Sequence, residues 1–303
     1  KSFSAWSRYL VFLFGGRTSP ENRFYPMDPP DLSGLERVDQ AFYHYCFSTE
    51  WVKFFKRNPV LAPPECRRSI VFHNLESDLY RLRAEKASGF SKRLLSRTAD
   101  SLERTEAECS TVADEIFFIS DPDLNNYLVR RGSGNPGCPS TYLSPTLDRS
   151  LFERRRKLRG GERLPTRKFG FIGGLDFEPN DRSVRWILDE VCPILREEGF
   201  LGEIQLIGRG ASDGLRASAA RFPFVSVLGF VPDVESYWVG WDSLLCPNLG
   251  GSGTRIKISE ALLSGVPVII NGEARERLDR ELRGSPEIRC SDRPRDWADW
   301  VAG

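Results

Sequence analysis

The sequence predicts an α/β protein with room for two domains, the second a doubly wound parallel sheet, and three observations carry that expectation. From about residue 168 onward, short apolar runs alternate with amphipathic stretches of helical length, the pattern of strands joined by crossover helices. Glycine-bearing turns follow four of those runs, at 173–174, 208–210, 229–232 and 250–253, which gathers them at the sheet edge where ligands of such folds collect. The chain has 303 residues, 40% hydrophobic and 28% charged, enough for two cores of ordinary size.

Taken in order, residues 1–35 hold an apolar-aromatic segment, SFSAWSRYLVFLF, whose end reads as a buried helical turn, and then a loop, FYPMDPPDLSG. VDQAFYHYCF (38–47) alternates as a strand does, and STEWVKFFK follows as a helix capped by Ser48 or Thr49. Past the proline-rich NPVLAPPEC, RRSIVFHN is a buried-type strand ending at His73. Helical periodicity runs from Glu76 to about Cys109 and divides near Ser88 and Gly89 into two helices. EIFFIS (115–120) is a short strand, and DPDLNNYLVRRG starts a helix with Asp121 near the cap, proline early and Gly132 at the stop. STYLSP (140–145) is the last strand of this half.

The stretch 149–168 is charged, glycine-containing and punctuated by proline, the profile of an interdomain linker. It sets an N-terminal domain over 1–160 and a C-terminal domain over 168–303. Its basic run offers a peripheral contact to acidic lipid head groups, although a solvated linker is the simpler expectation. Beyond it KFGFIGG, EIQLIGRG, FVSVLGF and SLLCP are strands, separated by helices over NDRSVRWILDEVCPILREEG, ASDGLRASAARF and DVESYWVGW.

The second domain converges on SLLCPNLGGSGTRIKISEALLSGVPVII, residues 243–270. It reads as strand 243–247, glycine-rich loop 248–253, helix 254–264, Gly265 as a stop and strand 266–270. The glycines let backbone approach a ligand, and the helix start offers free N–H groups and a positive dipole end. Arg255 and Lys257 add two positive charges there, and Glu260 falls about 9 Å further along the helix at roughly 1.5 Å per residue. One end suits a diphosphate, the other a hydroxyl-rich sugar. Such turns also occur in α/β proteins of every kind, and charges on a first helical turn are commonly solvated.

Composition narrows the partners. A net charge of +1 supplies no global attraction to nucleic acid, so none is expected as a partner. Seven scattered cysteines without a C-x-x-C pair, and only two histidines (His44 and His73), argue for a reducing cytoplasm and against a metal or disulfide framework. No apolar run reaches the roughly 20 residues of a membrane span. The first residue is Lys1 and the sole methionine Met27, so either the chain is processed or its true start is absent from this sequence.

PNLGGSGTRIKISEALLSGVPVI resembles the donor-binding segment of the retaining GT-B glycosyltransferases of the glycosyltransferase-4 type, also called group 1. IVFHNLESDLYRLRAE and FIGGLDFEPNDRSVRWILDEVCPIL resemble two further segments of that family, so the likeness runs over roughly 68–275. It implies the GT-B fold, two Rossmann-like, doubly wound domains facing a cleft with the N-terminal one incomplete here, and retaining, metal-independent transfer of a sugar from a nucleotide diphosphate to a hydroxyl acceptor, with no cofactor. By the same likeness Glu260 binds the ribose, and Gly251, Ser252, Gly253 and Thr254 face the donor sugar and diphosphate. His73 contacts the sugar or β-phosphate and stabilises the leaving group, Gly173 and Gly174 approach the diphosphate, and the backbone at Phe230 and Val231 lies against the nucleobase. Phe230 reads equally as a core residue.

Two departures from the family pattern stand out. Relatives carry an arginine and a lysine in or after the first loop, and residues 174–180 contain neither, so Arg255, Lys257 and, third, Arg209 are the substitutes. Ser252 stands where the first of a pair of glutamates belongs. The implied acceptor is a carbohydrate or lipid-linked one: a bacterial surface polysaccharide, a glycolipid or a natural product. A non-catalytic nucleotide-sugar-binding scaffold and a GT-B sugar-nucleotide epimerase remain as alternatives. Asp121 and Asp123 read as a helix cap rather than a metal-binding pair.

Overall fold

A computed structural model describes residues 40–57, 65–132, 137–143, 149–160, 164–249 and 256–303. The apolar segment of 1–35, the prolines of 58–64 and the glycine loop from 250 through Arg255 lie outside these residues. The described chain forms two units that divide between Ser144 and Pro145.

The first unit is a parallel sheet in the order β1-β2-β3-β4, with strands Gln40–His44, Arg67–Phe72, Glu115–Phe118 and Ser140–Tyr142. Its helices are α1 (Thr49–Arg57), α2 (Glu76–Lys86), α3 (Gly89–Val112) and α4 (Asp121–Arg131). β2 runs through the middle, so its run of apolar residues is buried on both faces, as central parallel strands are. Phe72 and Phe118 stack at 4.8 Å over Ile70, Leu102 and Ile116. The expected break between α2 and α3 falls at Ala87 and Ser88, where the backbone becomes extended, with Gly89 at φ +56°. The cap of α4 lies one residue before the expected Asp121: Ser120 is extended, and its hydroxyl accepts the N–H of Asp123 at 3.3 Å.

No side chain next to α2 caps it. A carboxylate from α3 does so instead: Glu106 accepts the backbone N–H of Ser77 at 2.9 Å and the Ser77 hydroxyl at 2.5 Å. Arg130 of α4 donates to the same hydroxyl at 3.1 Å and pairs with Asp78. Three helices are thus tied together at the residues that follow His73.

The second unit is a six-stranded parallel sheet in the order β10-β9-β8-β5-β6-β7. Its strands are β5 (Lys168–Ile172), β6 (Glu203–Ile207), β7 (Val225–Gly229), β8 (Ser243–Cys246), β9 (Val268–Ile270) and β10 (Ile288–Cys290). Numbered from β5 as first, this is the doubly wound dinucleotide-binding order. The helices are α5 (Arg149–Arg159), α6 (Glu178–Trp186), α7 (Cys192–Glu197), α8 (Asp213–Ala219), α9 (Glu235–Gly240), α10 (Ile256–Leu263), α11 (Gly272–Glu276) and α12 (Pro294–Ala302). A π turn, Ile187–Val191, joins α6 to α7 and makes room for Pro193, whose ring would clash with a carbonyl of an unbroken α-helix. One core packs Phe171, Ile187, Leu195, Leu206 and Trp297, and the other packs Trp238, Trp241, Ile258, Leu262 and Val268.

The linker expected at 149–168 is corrected over its first part. Residues Arg149–Arg159 are α5, which belongs to the second unit and is fastened there by its own arginines. Arg156 donates to the carbonyls of Leu262 and Leu263 at the end of α10, and Arg159 donates to those of Trp238, Val239 and Trp241 at the end of α9. The last carbonyls of a helix carry the negative end of its dipole, so a basic run that looks solvated binds there instead. All seven cysteines are free thiols, and Cys192 and Cys246 are buried in the sheet's cores. Among the described residues no helix is long and apolar enough to cross a membrane.

Candidate functional site

β5 pairs with β6 on one side and with β8 on the other, so the strand order reverses between β5 and β8. The crevice beyond the carboxyl ends of such a pair is where doubly wound sheets bind ligands. Three loops are stitched together there by backbone hydrogen bonds. Gly173 donates to Ile207 at 2.9 Å, Leu175 to Arg209 at 2.7 Å, and Gly208 to Gly229 at 2.8 Å. The approach is so close that a Cβ on Gly208 would stand 1.8 Å from the carbonyl oxygen of Gly173.

Lys257, in the first turn of α10, reaches into this crevice. Its Nζ donates to Asn180 Oδ1 at 3.0 Å and lies 4.5 Å from the centre of the buried Phe171 ring. Asn180, in α6, donates in turn from Nδ2 to the carbonyl of Gly174 at 2.9 Å. Gly173 leaves the necessary room, since a Cβ there would meet Asn180 Nδ2 at 2.8 Å and Lys257 Nζ at 2.9 Å. Gly173, Gly174 and Lys257 are therefore brought together as the sequence leads one to expect. Asn180 was not anticipated as their bridge, because only the absence of a cation in 174–180 was legible.

The stem of the glycine-rich loop is held by an asparagine pair. Asn248 N–H donates to Asn271 Oδ1 at 2.8 Å, and Asn271 Nδ2 returns a bond to the Asn248 carbonyl at 2.8 Å. The same Asn271 oxygen caps α11 by accepting from Ala274 at 3.2 Å. Both asparagines are buried, where a fully satisfied polar pair fixes one geometry.

Glu260 lies three residues beyond Lys257, half-buried, and burial raises its carboxyl above the ordinary range while Arg155 opposes that. Arg155, from α5, is 3% exposed and grips Glu235 with two hydrogen bonds, Nε to Oε2 at 2.9 Å and Nη2 to Oε1 at 2.5 Å. This holds the Glu235 carboxyl below its usual range, and Arg155 also donates to Ser264 at 3.1 Å. The electrostatic surroundings of Glu260 thus come from a segment that reads as a linker in sequence.

Arg209 stands on the same edge, mostly exposed and 3.7 Å from Asp176 of the β5 loop. Phe230 follows β7 and is 76% exposed, which excludes the core-packing alternative, while Val231 packs on the core that contains Trp238. Gly251, Ser252, Gly253, Thr254 and Arg255 lie outside the described residues. In the first unit His73 sits just past β2, its Nε2 2.8 Å from Nδ1 of His44 and its ring stacked on Tyr45 at 4.5 Å. Burial, and then His44, hold its pKa below the ordinary imidazole value.

A dinucleotide-type parallel sheet with its switch point lined by glycine and lysine, together with a second parallel α/β unit, defines the GT-B fold. Residues 166–301 match the family described as Glycosyl transferases group 1. Solved structures of the same fold include S. aureus TarM, 11% identical with a TM-score of 0.58 over 86% of this chain and 47% of that one. A Burkholderia vietnamiensis alpha,alpha-trehalose-phosphate synthase (UDP-forming) is 12% identical, with a TM-score of 0.60 over 98% of this chain and 73% of that chain. Anabaena HepE, in complex with UDP and glucose, is 15% identical with a TM-score of 0.55, covering 87% of this chain and 67% of HepE. At these identities the likeness establishes the fold, and the chain spans about half of TarM. No curated protein matches it.

Proposed function

We propose that this chain is a glycosyltransferase that moves a sugar from a nucleotide diphosphate to a hydroxyl acceptor with retention at the anomeric carbon, without a metal ion and on the cytoplasmic side. The observation that carries the reading is the lysine–asparagine–glycine cradle at the β5–β8 switch point, where an ammonium and close backbone meet at the one place such a sheet binds phosphates. Lys257, Arg255 and the loop amides of 251–253 would offset the charge that develops on the departing diphosphate, and such electrostatic help is commonly the largest catalytic effect. Glu260 would hold the ribose hydroxyls, Phe230 and Val231 the base, and His73 the sugar or β-phosphate. The leaving phosphate would then help deprotonate the acceptor, so no protein nucleophile is needed.

HepE is seen with UDP-glucose, and TarM with UDP and alpha-GlcNAc-glycerol, which makes uridine nucleotides the first donors to try. A carbohydrate or lipid-linked acceptor, as in bacterial polysaccharide assembly, fits the same chemistry. A thermal-shift screen of UDP, GDP, dTDP and their sugars should raise the melting point for one base, because a ligand that binds only the folded state stabilises it. Glu260→Ala should lose most of that shift, and an unchanged shift would refute its role. Ser252, in place of a family glutamate, favours a second reading, binding without transfer. Radiolabelled donor that binds but releases no sugar, to acceptor or water, would select it.

A further inference from the structure

His44 and His73 are the only histidines of the chain, and the fold places them side by side. His44 ends β1 and His73 follows β2, which pairs with β1 in parallel register, so both rings emerge at the same sheet edge. The 2.8 Å between Nδ1 of His44 and Nε2 of His73 is a hydrogen-bond distance, and one of the two nitrogens must carry the proton. Tyr45 constrains the pair from another side, with its ring against the face of His73 at 4.5 Å and an interplanar angle of 20°. To do so it adopts φ +64° and ψ 158°, a region that costs a residue with a side chain on the order of 1–3 kcal/mol. A hydrogen bond between two partly exposed imidazoles contributes only about 0.5–1.5 kcal/mol to folding. The arrangement is therefore no gain in stability. Strain held next to an oriented ring points to a function for that ring.

We propose that His44 is a positioning residue, which engages Nε2 of His73 through its own Nδ1, fixes that ring in one tautomer and orientation, and leaves Nδ1 of His73 as the nitrogen offered to a ligand. Among the described residues neither ring has another hydrogen-bond partner. Burial and the neighbouring imidazole both disfavour a charge on His73, in keeping with a neutral N–H···N pair. That Nδ1 meets a sugar or phosphate oxygen rests on the glycosyl-transfer reading above; that the two rings act as one unit does not.

Histidine-selective ¹⁵N labelling of the whole chain tests this, since two imidazoles give an unambiguous spectrum. The expected result is a single His73 tautomer and a ¹⁵N–¹⁵N coupling across the hydrogen bond. His44→Leu should abolish the coupling and leave His73 averaging between tautomers, while His44→Asn, which keeps a polar atom near the position of Nδ1, should restore one tautomer. Adding UDP-glucose should shift Nδ1 of His73 and leave Nε2 and the coupling in place. Tautomer averaging in the unmodified protein overturns the proposal whatever the nucleotide does. UDP-glucose that binds while shifting Nε2 and breaking the coupling, or without moving Nδ1, overturns it as well. A coupled pair in a protein that binds none of UDP, GDP, dTDP and their sugars upholds the unit and sinks the glycosyl-transfer reading instead.

Discussion

Glu106 should make the first unit lose stability as the solution becomes alkaline. It is 2% exposed, and burial, the largest influence, pushes its carboxyl from 4.5 up to about 7 against the opposing hydrogen bonds from Ser77. The folded chain therefore keeps a proton that the unfolded chain gives up near the ordinary glutamate value. The stabilisation is complete below about pH 4.5 and is lost as pH rises through about 7. At about 1.4 kcal/mol per pH unit, the total is roughly 3 kcal/mol, and about 2.5 kcal/mol of it falls between about pH 5 and 8.5. Glu106→Gln keeps an acceptor for the Ser77 N–H and a donor for its hydroxyl but cannot ionise. Because two units need not unfold together, the assay is hydrogen exchange at the amides of α2, corrected for the intrinsic effect of pH. Opening of α2 in the unmodified protein should grow by nearly a hundredfold across that range, a figure that follows from about 1.4 kcal/mol per tenfold. The Gln variant should stay level. Parallel pH profiles for the two proteins would show that Glu106 is ionised in the folded state and would refute the reasoning.

Three other outcomes follow from the geometry. Lys257→Met should weaken UDP binding about ten- to a hundredfold in calorimetry at fixed salt, the loss of a charge-assisted bond of about 1.5–3 kcal/mol, and an unchanged affinity would remove the lysine from the site. Gly208→Ala should lower the melting temperature, since its Cβ would stand 1.8 Å from a backbone oxygen, whereas Gly214→Ala in α8, where a Cβ would stand 3.9 Å from Arg185 Nη2, should raise it slightly; equal effects would contradict the close approach of the two loops. Arg155→Met should cost about 2–3 kcal/mol in denaturant unfolding followed by the fluorescence of Trp238 and Trp241, less than a fully buried pair because Glu235 keeps some solvent contact, and full retention of stability would show that α5 is not held by this arginine.

Much of the fold was legible because parallel strands advertise themselves. The apolar runs at 67–72, 115–118, 203–207 and 243–246 became strands, and the glycines after β5 and β6 mark the positions where their loops nearly touch. What the sequence conceals is which partner a charge finds. Arg155 belongs to a run of four consecutive cations that reads as solvated, yet tertiary contacts bury it against Glu235, 80 residues away. Asn180 and Asn271 act by bridging backbone and side chains that meet only after folding, and a lone amide at the start of a helix gives no sign of this. Near the end of the chain α11 and β10 were not anticipated, since a five-residue helix and a three-residue strand are too short to show a period.

The way α5 fastens itself has a bearing on how this surface can evolve. Arg156 and Arg159 grasp main-chain oxygens, which every amino acid supplies, so replacements at 238, 239, 241, 262 and 263 leave the grip intact as long as the helices end where they do. The dependence runs the other way: Arg156→Lys, with one compact ammonium in place of the Nε–Nη2 edge that reaches Leu263 and Leu262, would not reproduce both contacts. Of the two ends of these contacts, only the arginine end therefore depends on side-chain identity.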